Sequence, residues 1–175
     1  MTNRYIRVLT YLSIMICSGV SSSVFAEWQV LANHEVSTGH ETTIASSVNE
    51  NGNTLEIYRD GVGAVRSRLT LRNGLLQFAK QNCPTYQIDK GPPRNRSIND
   101  ASCLQDNRWA EFILGYIKNE TIESSPLLAI MNGITITFRY RLIDGNYGET
   151  VFSLFGSKRA MMTAFGGNIA VVAGQ

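Results

Sequence analysis

Histidine is scarce in this chain and cysteine nearly so: 2 of 175 residues are His and 3 are Cys. Structural and catalytic zinc sites need several such ligands at short, regular spacings. His34 and His40 stand six apart, with Glu35 and Glu41 beside them, and far from any cysteine. Ser37-Thr38-Gly39 reads as a turn between the two histidines, so we expect no metal and no cofactor. Motifs that carry chemistry are missing too. Gly61-Val62-Gly63 has no third glycine, and a bend between strands accounts for it better than a nucleotide loop. Ser157-Lys158 lacks the Ser-x-x-Lys spacing. Asn95-Arg96-Ser97 and Asn119-Glu120-Thr121 match glycosylation acceptors, a short pattern that needs a eukaryotic secretory route.

Two further absences bound the class of protein. No apolar run reaches bilayer length; the longest, from Val8 to about Val20, is about 13 residues where a spanning helix needs about 20. No block of one charge occurs. With Arg4 and Arg7 ahead of that run, a Ser-rich stretch behind it and Val24-Phe25-Ala26 at its end, residues 1–26 have the layout of a signal peptide cleaved after Ala26. Bulky Ile16 argues against a lipoprotein cleavage at Cys17. The whole chain has 16 basic and 14 acidic residues, and losing Arg4 and Arg7 makes the numbers equal. The expected domain, residues 27–175, is neutral and has no nucleic-acid signature. We expect it in the periplasm, secreted, or on the cell surface.

Removing the leader leaves Cys83 and Cys103. An even pair in an exported chain reads as a disulfide. It would close a loop with 19 residues between its ends, a polar segment with two consecutive prolines and little apolar surface of its own.

Strand patterns dominate what is present. Trp28–His34, Thr42–Val48 and Thr54–Asp60 are candidates, with Asn49-Glu50-Asn51-Gly52-Asn53 as a hairpin turn, since Asn-Gly tolerates positive φ at both centres. In AVRSRLTLRN, Val65, Ser67, Leu69 and Leu71 share one face and Arg66, Arg68, Thr70 and Arg72 the other. In GITITFRYRLI, Ile134, Ile136, Phe138, Tyr140 and Leu142 face one way, and Thr135, Thr137, Arg139 and Arg141 the other. A turn at Asp144-Gly145-Asn146 leads to a strand from Glu149 to Phe155, apolar on both sides and so expected to be central. Trp109, Phe112, Ile113, Tyr116 and Ile117 fall at helical spacing, so a helix capped by Asp106 is expected there. Shorter helices are expected from Ser125-Pro126 to Gly133 and from Ser157 to Gly166-Gly167, with a closing strand at Ile169–Val172. The class is mainly β: one antiparallel β-sandwich or barrel-like domain with a few short peripheral helices.

ITITFRYRLIDGNYGETVFSLFGSKRAM, with Ser153, Leu154, Gly156 and Ala160, and the preceding LLAIMNG resemble elements of the invasion-associated locus B family of exported bacterial proteins, over roughly residues 101–165. Ser157 stands where that family prefers an aromatic, and the N-terminal cysteines common in the family are missing. The resemblance implies a non-enzymatic periplasmic or surface protein linked to host-cell interaction or the envelope. No binding residues carry over from it.

The residues themselves offer one candidate site. If the two Arg-bearing strands share a sheet, Arg66, Arg68, Arg72, Arg139 and Arg141 line one basic face. Guanidinium pairs well with carboxylate and phosphate. Such a face suits a protein, or an anionic envelope or host-surface component, with peripheral membrane contact only. The alternative is a solvated face whose arginines are answered by Glu56, Glu149 and similar acids. The expected function is binding, with no catalytic residues. Two other classes stay open: a hydrolase whose carboxylates among Glu35, Glu41, Glu56 and Glu111 converge in the fold, and a structural subunit of an envelope complex. The oligomeric state is unspecified.

Overall fold

The structure, a computed structural model, describes residues 27–34, 41–72, 76–80, 82–95 and 103–174. Residues 1–26, read above as a signal peptide, lie outside these residues, as do Glu35 and His40 and the side chains of His34 and Glu41. The fold is mainly β, as expected: among the described residues, two sheets pack across one core, with two helices.

The large sheet follows the chain at first. β1 (Gln29–His34), β2 (Glu41–Val48), β3 (Thr54–Arg59) and β4 (Ala64–Thr70) pair in order, all antiparallel. β4 then pairs with β7 (Trp109–Lys118), which also pairs with short β6 (Leu104–Gln105) and with β8 (Thr121–Glu123). β11 (Ala170–Val172) closes the sheet parallel to β8. The small sheet has the order β10-β9-β5, with β5 at Thr85–Ile88, β9 at Thr135–Arg141 and β10 at Tyr147–Ser153.

The hydrophobic alternation explains the packing. Val65, Ser67, Leu69 and Leu71 are buried on the inner side of the large sheet, and Leu55 and Ile57 join them from β3. Ile136, Phe138, Tyr140 and Leu142 are buried on the inner side of β9. Ile134, expected with that set, lies before the strand begins and is exposed. Of Trp28, Val30 and Ala32, Trp28 alone is buried, because β1 is an edge strand. An edge-to-face aromatic contact joins the sheets, where Tyr86 of β5 meets Phe112 of β7 at 5.3 Å between ring centroids, and a second, Phe138 with Phe152 at 6.2 Å, stiffens the inner side of the small sheet. Such pairs add about 0.5–1.5 kcal/mol each beyond burial.

Three local expectations are corrected. The Trp109 segment is a strand, not a helix. Its apolar residues lie on both faces, so a helical stripe can be drawn through them, while a short apolar run is ambiguous by periodicity. Seven consecutive residues of β4 find partners in β7, and the aromatic and β-branched content suits a pleat. Asp106 caps nothing helical; its Oδ1 accepts from Asn107 N at 2.7 Å. Nor is β10 central: it is the edge of the small sheet, with Thr150 and Phe152 buried and Tyr147, Glu149 and Val151 exposed. Its edge is answered by side chains, since Asn49 Nδ2 donates to Val151 O and Trp28 Nε1 donates to Ser153 O. The hairpin turn between β2 and β3 forms where expected, closed by Asn49 N donating to Asn53 O, with Gly52 at positive φ (74°).

The two shorter helices match expectation. α1 (Ser125–Asn132) has Pro126 in its first turn and ends at Gly133. Its N-cap is Ser124, one residue earlier than expected, whose Oγ accepts from Leu127 N at 3.0 Å. α2 (Ser157–Phe165) runs between Gly156 and Gly166, both left-handed. It packs on the inner side of β1–β3 and touches α1, where Ser157 Oγ donates to Ile130 O. Cys83 and Cys103 form the expected disulfide, with Cα atoms 6.0 Å apart. It closes the segment containing β5 and Tyr86.

Candidate functional site

β4 and β9 lie in different sheets. Their inner residues meet in one core, so their arginines point away from it on opposite sides. The expected five-arginine face does not form.

What the outer side of the large sheet builds instead is a compact polar cluster. Register places Glu56, Arg68 and Glu111 side by side across β3, β4 and β7, and Tyr58 beside Arg66 two pairs along, on the same face. Glu111 is its centre and is 5% exposed. Arg66 Nη1 reaches Glu111 Oε1 at 2.9 Å, and Arg66 Nε reaches Asp60 Oδ2 at 2.6 Å. Arg68 Nε and Nη2 approach Glu111 Oε2 at 2.9 and 2.8 Å. The Tyr58 hydroxyl donates to Glu111 Oε2 and accepts from Arg68 Nη2 at 2.8 Å. The Arg68 guanidinium also sits 5.3 Å from the ring centres of both Tyr58 and Trp109, a cation–π arrangement on two sides.

The loop between β3 and β4 fixes Asp60. Its Oδ1 accepts from Val62 N and Ala64 N, and Gly63 turns the chain at φ 84°. The glycine pair is therefore a bend, as expected.

The protonation states follow from this geometry. Burial alone would raise the Glu111 carboxyl, but the bonds from Tyr58, Arg68 and Arg66 outweigh it and hold its pKa below the ordinary value. Burial would likewise raise Asp60, and the bonds from Arg66, Ala64 and Val62 bring it down. Burial and the bond to Glu111 push the Tyr58 phenol far above its usual range. Glu56 is raised, chiefly by burial; Arg68 opposes this and Glu111 adds to it. Glu111 is thus a locked anion and Tyr58 a locked phenol, neither available to exchange protons near neutral pH.

The remaining predicted residues stand apart. Arg139 pairs with Glu149 at 2.7 Å and bonds Gln87 Oε1, with both ionic side chains about half exposed. Arg141 lies 5.7 Å from the Tyr147 ring centre, and Arg72 runs along Gly52. Among the described residues neither has a carboxylate within ion-pair distance. Of the proposed carboxylates, Glu56 and Glu111 converge on one face. Among the described residues no three His, Cys, Asp or Glu side chains are grouped to hold a metal. A groove of about 380 Å³ opens elsewhere, beside the disulfide, lined by Lys80, Gln105, Asp106 and Asn107. The cluster residues missed from sequence are Tyr58, Asp60 and Trp109. Glu111 was seen only as a possible acid. The alternation Glu56-x-Tyr58 opposite Arg66-x-Arg68 was the available signal.

Comparison with protein-family models, with curated proteins and with solved structures gave no match.

Proposed function

We propose that this is an exported, non-enzymatic interaction domain of the invasion-associated locus B type, working in the periplasm or at the cell surface, that docks a protein partner on the outer face of its large sheet. The observation that carries the reading is Arg68, held between Tyr58 and Trp109 by Glu111 while its side chain stays 38% exposed. Trp, Tyr and Arg are the residues that most often dominate binding energy. Here they are held in place before any partner arrives, which lowers the ordering cost of association. The cluster's cations are already answered internally, and Arg72 and Arg141 belong to different sheets, so they do not supply one basic face for an anionic partner. The test is retention of envelope or host-surface proteins on immobilised parent and on Trp109→Ser. Proteins held by the parent and by Arg139→Ser/Arg141→Ser, but not by Trp109→Ser, support the reading. Equal retention by all three sinks it.

One feature favours a second reading, a carboxylate hydrolase. Glu56 and Glu111 lie on one face with pKa values pushed in opposite directions, a pattern shared with acid–base sites. Hydrolysis of chromogenic glycosides that disappears in Glu56→Gln would move the assignment there.

A further inference from the structure

One end of the sandwich carries an apolar tip that the large-sheet face does not explain. Ile134 is 76% and Phe155 82% exposed. They stem from neighbouring points, because Leu154 N donates to Ile134 O at 2.8 Å where β9 begins and β10 has just ended. Large side chains this open, placed together, mark a contact surface more often than chance exposure.

The charges around the tip are mostly positive. Lys158 and Arg159 are exposed in the first turn of α2, which starts just after Phe155-Gly156. Lys90 is exposed next to Asp89, whose carboxylate accepts from Ile134 N and Thr135 N. Asp89 is an acid at this end, and among the described residues it forms no ion pair with these three cations. Cations in the first turn oppose the helix dipole, so Lys158 and Arg159 do not serve the stability of α2. No acid occupies that turn.

We propose that the Ile134–Phe155 tip, with Lys158, Arg159 and Lys90 around it, docks the domain on an anionic lipid bilayer. The apolar pair enters the headgroup boundary and the cations meet lipid phosphates, the two-part arrangement that gives reversible surface binding. This surface is separate from the Arg68–Trp109 face, so either assignment can fail alone.

The test is vesicle co-sedimentation of the chain recovered from exporting cells, its N-terminus read by intact mass. Vesicles are phosphatidylcholine alone, or with phosphatidylglycerol. The parent is expected to bind the anionic vesicles and to be released by salt. Lys158→Gln/Arg159→Gln should weaken binding on the order of tenfold, and Ile134→Ser/Phe155→Ser should weaken it at least as much. All variants should keep the parent's circular dichroism, since each site is exposed, and Trp109→Ser should bind vesicles like the parent. Equal binding to neutral vesicles, or unchanged binding by both double variants, overturns the proposal. So does a dimer in light scattering that Phe155→Ser dissolves, because the tip would then be covered by a second copy.

Discussion

β4 and β9 carry the same pattern, with arginines at alternate positions on the side away from the core, and they end in different electrostatic surroundings. On β4, Arg66 and Arg68 close over a nearly buried Glu111 and are themselves 18% and 38% exposed. On β9, Arg139 meets a half-exposed Glu149, and Arg141 lies along Tyr147. Alternation says which face a residue takes. It does not say what the neighbouring strand brings to that face. An acid from β7 makes the β4 arginines structural, while the β9 arginines stay in solvent.

That difference is open to measurement, most strongly at β4. Arg66→Ser/Arg68→Ser leaves Glu111 buried without its guanidiniums, and breaking a buried pair from one side costs about 3–5 kcal/mol. Urea unfolding should show that loss. A change under about 1 kcal/mol would put β4 in the same category as β9. Next in size is the disulfide, which ties down the loop holding β5, the partner of β9. Removing it with Cys83→Ser/Cys103→Ser should cost about 3 kcal/mol by loop entropy. Hydrogen exchange should rise first in β5 and β9, before the Glu111 cluster. Trp109→Ala comes third. The ring is half-buried and faces Arg68 from the outer side, so we expect a loss of about 1 kcal/mol, well below the 3–5 kcal/mol for emptying Phe112 in the core. Equal losses would restore Trp109 to the core.

Acidity separates the two carboxylates of the cluster. The ordinary glutamate pKa is 4.5, and Glu111 is held below it. Its stabilisation is complete above pH 4.5 and drains as pH falls through the lower folded-state value. Glu56 is raised above 4.5, so its charged form weakens the fold above that raised value, and the penalty vanishes below pH 4.5. Glu56→Gln should therefore stabilise slightly at pH 7 and do nothing at pH 3. Stability of Glu56→Gln that tracks the parent at every pH would remove Glu56 from the cluster. The smallest effect belongs to β9: Arg139→Ser/Arg141→Ser should cost under about 1 kcal/mol, as exposed pairs do.

Much of the fold was legible in the residues. The two amphipathic strands, both short helices with their glycine stops, and the disulfide all follow from local chemistry: period-two burial, Pro126 in a first turn, and cysteine pairing. The Trp109 segment was not legible, because Ala110, Phe112 and Leu114 face the core while Trp109 and Ile113 line the other side, and a run apolar on both faces fits either period. That one misreading hid the site. With β7 taken as a helix, Glu111 has no reason to lie between Arg66 and Arg68, and the arginines look free. β10 misled for a related reason: Val151 and Phe152 are both apolar, yet Val151 faces out, and the edge is capped by Trp28 and Asn49, contacts from more than 100 residues away that no local pattern records.

The most direct test is a pair of double-mutant cycles read by urea unfolding, Arg68 with Glu111 and Arg139 with Glu149. The β4 account predicts a coupling above about 1 kcal/mol for Arg68–Glu111, as for contacting residues in one network, and about 0.5 kcal/mol or less for Arg139–Glu149. Equal couplings in the two cycles would contradict it.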